Sequence, residues 1–326
     1  MSFVLNQVIS NYECLGIIDK PRAGVTYKVR NLATGEIESL RALPGATSRD
    51  SELSERLLRE IRVQTRLSHP NIVEFHDAFE IDGCLVMTTE FVDAPTLAEL
   101  CQGGARPLRD AIGFTTQVLD GLEPAHALGI VHRGITAEHV TIGRDGVVKL
   151  GGFDLAKPAC DINLTRVGTV AGDPRYISPE QVTGRPALDA RSDLYSVGVL
   201  LYQALTGKLP FDAQNDIDML AAQVSSEPLP PSKVNPAISR ELDRIVLTAL
   251  EKDPNKRFAG AKNFRAALAT AGPVQPPPQP VVSRPNQVSS DSQMPRRPRR
   301  PFRVSLVFGF LVAAIGGAVI VWLAIH

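Results

Sequence analysis

The stretch Arg191-Ser192-Asp193-Leu194-Tyr195-Ser196-Val197-Gly198-Val199-Leu200-Leu201-Tyr202 is apolar on nearly every side after its polar start. A helix of that kind has no face to give to water and must be enclosed by the rest of a domain. The chain of 326 residues has room for such a core, as one large domain or two smaller ones. Gly207 is placed to end the helix. The 35 basic and 35 acidic residues cancel, so no global field argues for nucleic acid. The 4 cysteines (Cys14, Cys84, Cys101, Cys160) form no close pair. They read as buried free thiols in a reducing compartment, with neither a disulfide framework nor a zinc site. His69 likewise has no second ligand at a suitable spacing. Met1 to Ser10 lacks the basic start and long apolar run of a signal peptide.

Upstream, strand-like runs at Tyr12 to Ile18, Gly24 to Val29 and Ile37 to Ala42 are separated by turn residues such as Thr34-Gly35. Asp50 or Ser51 caps a predicted helix running to about Arg66, with Leu53, Leu57, Leu58 and Ile61 on its apolar face and Glu60 at the border. Cys84 to Val92 reads as a buried strand. Leu108 to Leu128 reads as a long helix with Ile112, Val118, Leu119 and Leu122 turned inward, interrupted by Pro124. Asp145-Gly146 is a tight turn into the strand Val147 to Leu150.

Between these elements lie Val131-His132-Arg133-Gly134-Ile135 and, further on, His139, Gly152-Phe153-Asp154, Gly172-Asp173-Pro174-Arg175-Tyr176, Ser178-Pro179-Glu180 and Asp253-Pro254-Asn255-Lys256-Arg257. In this order they resemble the motifs of the protein kinase superfamily, in the style of bacterial Ser/Thr kinases, from Tyr12 to about Ala271. The resemblance implies an α+β, two-lobed protein-kinase-like fold over residues 1–271, with a small lobe over about 1–91 and a large lobe over about 92–271. It implies an interlobe hinge near Glu90-Phe91-Val92, with Thr88 or Thr89 guarding the back of the nucleotide pocket. It also implies an Asp193 that ties the central helix to the catalytic loop and an ion pair between Glu180 and Arg257.

The same resemblance points to missing chemistry. The family's H-R-D-L-x-x-x-N loop puts its catalytic base on Gly134 and a metal-holding Asn on His139. Its D-F-G metal ligand falls on Gly152. Asp154 comes two residues late and would reach a cation only by a different backbone path. Of the three glycines that cover the phosphates, only Gly24 is kept; the others are Asp19 and Pro21, and proline has no N–H to donate. The strand lysine is Arg41, read either as a residual phosphate contact or as the partner of a carboxylate, for which Glu60 is the family's position. Arg133, Thr165 and Thr169 match positions that regulate bacterial kinases. Asp173, Gly134 and Thr136 replace three residues that contact one another in the family.

The expected function is therefore a pseudokinase, a scaffold or regulator in Ser/Thr kinase-type signalling. The alternative is a Ser/Thr kinase with residual or unconventional phosphotransfer. Gly24, Arg41 and Glu60 are the candidates for nucleotide contact. No metal and no cofactor are expected, apart from weak metal-independent ATP binding.

Residues 272–303 are rich in Pro, Ser, Gln and Arg and read as a flexible linker. Val304 to Ile325 carries no charge and follows Arg296-Arg297, Arg299-Arg300 and Arg303. That pattern predicts a transmembrane helix over 304–325, single-pass at the C-terminus, with the kinase-like domain cytoplasmic. Gly309, Ala313 and Gly317 recur every four residues and predict a homodimer contact, or pairing with the span of an active kinase. The expected partner is a protein, either an active kinase or its substrate.

Overall fold

The computed structural model describes residues 5–19, 25–42, 51–81, 84–158, 172–185 and 188–271. The predicted linker and span, with Gly309, Ala313 and Gly317, lie outside the described residues. Among the described residues no helix is long and apolar enough to cross a membrane.

The small lobe is a six-stranded antiparallel sheet. Its strands are β1 (Val8–Ile9), β2 (Tyr12–Asp19), β3 (Val25–Asn31), β4 (Ile37–Ala42), β5 (Phe75–Ile81) and β6 (Cys84–Glu90), in the order β1-β2-β3-β4-β6-β5. Helix α1 (Ser51–Gln64) joins β4 to β5. Alternation along β4 decides what the sheet does. Glu38, Leu40 and Ala42 are buried, and Leu40 packs with Tyr12, Cys14, Tyr27, Val29 and Val86. Ser39 and Arg41 point to the other face. Leu40 pairs with Thr88 and Ser39 with Thr89, so Thr89 shares the face of Arg41 and Thr88 is buried on the opposite one. Of the two candidate guard residues, Thr89 therefore stands on the α1 side, where Leu57 meets Met87.

One expectation about α1 is corrected. Leu57 is buried and Ile61 packs beside it, but Leu58 is 40% exposed. Leu57, Glu60 and Ile61 make the inward face, and Leu58, one step round the helix from Leu57, falls outside it.

The large lobe contains α2 (Leu97–Gln102), α3 (Leu108–Ala127), the short strands β7 (Ile130–Val131), β8 (Val140–Ile142), β9 (Val148–Leu150) and β10 (Lys157–Pro158), then α4 (Pro179–Val182), α5 (Ala190–Thr206), α6 (Asp216–Ser225), α7 (Arg240–Ala249) and α8 (Ala261–Thr270). The all-round apolar helix is α5, and it is enclosed as its composition requires: Leu194, Tyr195, Val197, Val199 and Leu201 expose nothing. Asp189 caps its N-terminus by accepting from Arg191 N–H, and Gly207 ends it in the left-handed conformation. Gly198 lets α7 approach, because a Cβ there would lie 2.8 Å from that of Ala249. Pro124 sits in the last turns of α3, which continues to Ala127, and Leu128 N–H donates to the Pro124 carbonyl.

The lobes are stitched by main chain. Val73 N–H donates to Leu150 O and Leu150 N–H to Asn71 O, so the turn before β5 pairs with β9. Val63, Leu67 and Ile72 belong to the large lobe's core. At the hinge, Glu90 takes an ion pair from Lys149 at 2.7 Å.

Candidate functional site

The loop after β7 is anchored from behind. The Asp193 carboxylate accepts from His132 N–H at 2.8 Å and Arg133 N–H at 2.9 Å, and His126 Nε2 lies 2.8 Å from the same group. Burial alone would raise the Asp193 pKa. The hydrogen bonds from His126 and from the His132 backbone N–H outweigh burial and hold the carboxyl below its usual range. Arg133 has φ 64, a left-handed conformation uncommon for a residue with a side chain. Two amides pulled onto one carboxylate over-determine that turn. A second anchor lies nearby. Arg257 meets Glu180 with two bonds of 2.7 Å, and Ser192 Oγ donates to Glu180 at 2.7 Å. Burial again raises the carboxyl and the Arg257 contacts reverse it, leaving Glu180 lowered. Both anchors stand where the sequence expects them.

On the opposite side of the loop the three degenerate positions come together. His132 is fully buried. Its Nδ1 accepts from Gly134 N–H at 3.3 Å and its Nε2 donates to the Gly151 carbonyl at 3.0 Å. The neutral ring makes both bonds, and burial pushes its pKa down accordingly. His139 Nδ1 lies 2.7 Å from the Gly134 carbonyl and must donate to it. Gly151 N–H donates to the His139 carbonyl at 2.9 Å. Gly152 has φ 76, and a Cβ there would lie 2.5–2.7 Å from three atoms of the His139 ring. At Gly134 the crowding is milder: the nearest atoms to a Cβ would be those of the Leu155 side chain, Cδ1 at 3.2 Å and Cβ and Cγ at 3.6 Å.

The structure also brings Gly134, Thr136 and Asp173 around one small cavity, with Arg133, Tyr176 and Ser196. The Thr136 hydroxyl is buried there without a hydrogen-bond partner among the described residues. Asp173 is engaged by its own neighbour, accepting from Arg175 N–H at 2.9 Å and from the Arg175 guanidinium. Arg175 also reaches Glu138 at 3.0 Å, and Gln181 donates to the Arg133 carbonyl at 3.0 Å. None of Glu138, Gln181 and His126 was singled out from the sequence, since nothing in their spacing reports contacts across the fold.

In the small lobe Arg41 donates from Nη1 to both Glu60 oxygens, at 3.0 and 2.9 Å, with Glu60 only 3% exposed. Of the two readings left open for Arg41, the carboxylate partner is the one this geometry contains. Gly24, Thr165 and Thr169 lie outside the described residues.

The residues present do not fit the divalent cation that the kinase reaction uses. Of the family's ligand positions, one is glycine and the other is a histidine whose ring stands over that glycine. Among the described residues no group of three or more His, Cys, Asp or Glu could hold a metal ion.

The protein kinase domain family model matches residues 12–268, and the chain belongs to that family. It is 38% identical over 259 residues to the serine/threonine-protein kinase PksC of Streptomyces coelicolor, covering 75% of this chain and 46% of the relative. It is 33% identical over 279 residues to the serine/threonine-protein kinase pkn3 of Myxococcus xanthus, covering 82% and 51%. The chain thus spans about half the length, or less, of these curated relatives. The crystal structure of the Mycobacterium tuberculosis PknI kinase domain superposes with a TM-score of 0.64 at 24% identity, over 83% of this chain and 100% of that one, a likeness of fold.

Proposed function

We propose that this chain is a pseudokinase, a kinase-shaped binding module that scaffolds or regulates a protein partner in Ser/Thr kinase-type signalling. One observation carries the reading: the His139 ring fills the space a metal-binding side chain at Gly152 would need. Phosphoryl transfer depends on metal ions that neutralise developing charge and on a base that orients the hydroxyl. With Gly134, His139 and Gly152 at the three positions, neither group is supplied. Arg41, Glu60 and Gly24 remain as a weak, metal-independent contact for ATP. Arg133, Thr165, Thr169 and Asp173 remain as regulatory positions.

The test is incubation of the purified full-length chain with labelled ATP, Mg²⁺ or Mn²⁺ and generic protein substrates. No incorporation above a heat-killed control is expected, and incorporation that disappears in an Arg41→Ala variant would overturn the reading. A second reading, a Ser/Thr kinase with residual activity, is favoured by the bidentate Arg41–Glu60 bridge and by relatives that are named kinases. The same assay separates the two.

The chain organisation belongs to this proposal: residues 1–271 as the kinase-like domain, 272–303 as linker and 304–325 as a membrane span that leaves the domain cytoplasmic. The partner is an active kinase or its substrate, and Gly309, Ala313 and Gly317 form the contact between spans. Crosslinking of the isolated span in membranes tests that contact. Ala313→Ile or Gly317→Ile should weaken association far more than Val312→Ile, and equal signals would reduce the span to an anchor.

A further inference from the structure

Gly134 and Gly152 are both places where the family keeps a carboxylate, yet their surroundings differ in kind. The space beside Gly134 is bounded by the Leu155 side chain, whose closest atom, Cδ1 at 3.2 Å, can move by a change of rotamer. The space beside Gly152 is held by an imidazole that is itself held. Its Nδ1 is committed to the Gly134 carbonyl at 2.7 Å. Its backbone carbonyl accepts from Gly151 N–H at 2.9 Å, so residue 139 is tied by its ring to the loop at Gly134 and by its main chain to the turn at Gly151. The turn is fastened again from below. His132 Nε2 donates to the Gly151 carbonyl at 3.0 Å, and the His132 ring packs on Phe153 with centroids 4.3 Å apart. Phe153 is buried, which fixes the far end of the turn.

We infer that His139 and Gly152 form one steric lock: the imidazole holds the volume a metal-binding carboxylate at position 152 would occupy, so a divalent cation is admitted only when both residues change. The inference rests on the pseudokinase reading and adds to it. Loss at 134 is a missing group in otherwise available space, and loss at 152 is a closed position. Backbone conformation is not the obstacle at 152, because Asp is among the residues that tolerate the left-handed region best. The obstacle is the ring.

The experiment is a double-mutant cycle on the full-length chain with Gly152→Asp, His139→Asn and the pair, reading the melting temperature in EDTA and with Mn²⁺ plus ADP. Gly152→Asp alone should lower the melting temperature by roughly 4–8 °C, the size of an overpacked core position in a domain of this length. In the His139→Asn background the same substitution should cost less than half as much. A rise with Mn²⁺-ADP over ADP in EDTA should appear in the double variant and in neither single one. An equal penalty in both backgrounds would overturn the lock. So would a Gly152→Asp single variant that responds to Mn²⁺-ADP as the pair does, or a pair that fails to fold while His139→Asn folds. A coupled pair without the Mn²⁺ response would overturn the cation half of the inference. None of these readings involves phosphate transfer by the unaltered chain, so failure here is distinct from failure of the pseudokinase reading, which only the labelled-ATP assay detects.

Discussion

The two sides of one loop were built to different rules. Behind residues 132–134, the Asp193 carboxylate accepts two backbone amides, and beside it Glu180 is clamped by Arg257 and Ser192. In front, at Gly134, His139 and Gly152, the two carboxylates and the asparagine of the family motif are replaced by two glycines and an imidazole. The buried charges behind the loop have their partners, whereas the front has glycine at both carboxylate positions and is closed by the His139 ring at 152. A buried carboxylate without its partner threatens the fold, so the rear anchors cannot be lost singly. A missing front carboxylate threatens only chemistry. The difference teaches that kinase shape and kinase chemistry rest on separate residues even where they are neighbours in sequence.

The largest expected effect tests the rear side. Arg257→Ala leaves Glu180 buried and unpaired, which should cost about 3–5 kcal/mol. In a domain of this length that corresponds to a fall of roughly 10 °C or more in melting temperature. A loss of only a degree or two would show that the rear is no more essential than the front. Asp193→Ala should come next, at about 2–4 kcal/mol, since it strands two backbone donors and releases the left-handed Arg133 turn; chemical denaturation measures it.

The third effect is a pH dependence. His132 is held neutral, its pKa below the ordinary value of 6.5. As pH falls through 6.5 the unfolded chain takes up a proton that the folded chain does not, so stability declines. Asp193 and Glu180 are lowered too, and their contribution is present above the ordinary values of 3.8 and 4.5 and lost in stronger acid. Melting curves between pH 7.5 and 5.5 should therefore slope downward in the unaltered chain and less steeply in His132→Asn. Identical slopes would remove His132 from the account.

The smallest effect belongs to the front. Gly134→Asp meets the Leu155 side chain, with Cδ1 nearest at 3.2 Å, and should change stability by less than about 1 kcal/mol without producing phosphotransfer, because base and metal site act as a unit. Robust turnover from that one change would erase the distinction between the two sides.

Much of the rear side was legible in the sequence. Asp193 and the Glu180–Arg257 pair occupy motif positions whose partners lie at other motif positions, as does the Arg41–Glu60 bridge in the small lobe, and the Gly207 cap follows from a glycine placed just past an apolar helix. The front was legible only as a set of losses. That His139 stands on Gly152 depends on the left-handed turn at 152 and the bend between β8 and β9, neither of which a residue pattern reports. Leu58 was misplaced because apolar spacing does not say where the inward stripe ends. Thr88 and Thr89 were indistinguishable until strand pairing assigned each a face.

The stitch between Asn71–Val73 and Leu150 has a mechanical consequence. The end of α1 is rooted in the large lobe through Val63 and Leu67, and the turn that follows is hydrogen-bonded to β9. Glu60, one turn before Val63, grips Arg41 on the sheet. The sheet is thus moored to a post driven into the other lobe, and Lys149 moors the hinge residue Glu90 as well. Tilting the small lobe would have to drag the post or slip the Arg41 mooring, so the geometry favours a stiff platform over a jaw that opens and shuts.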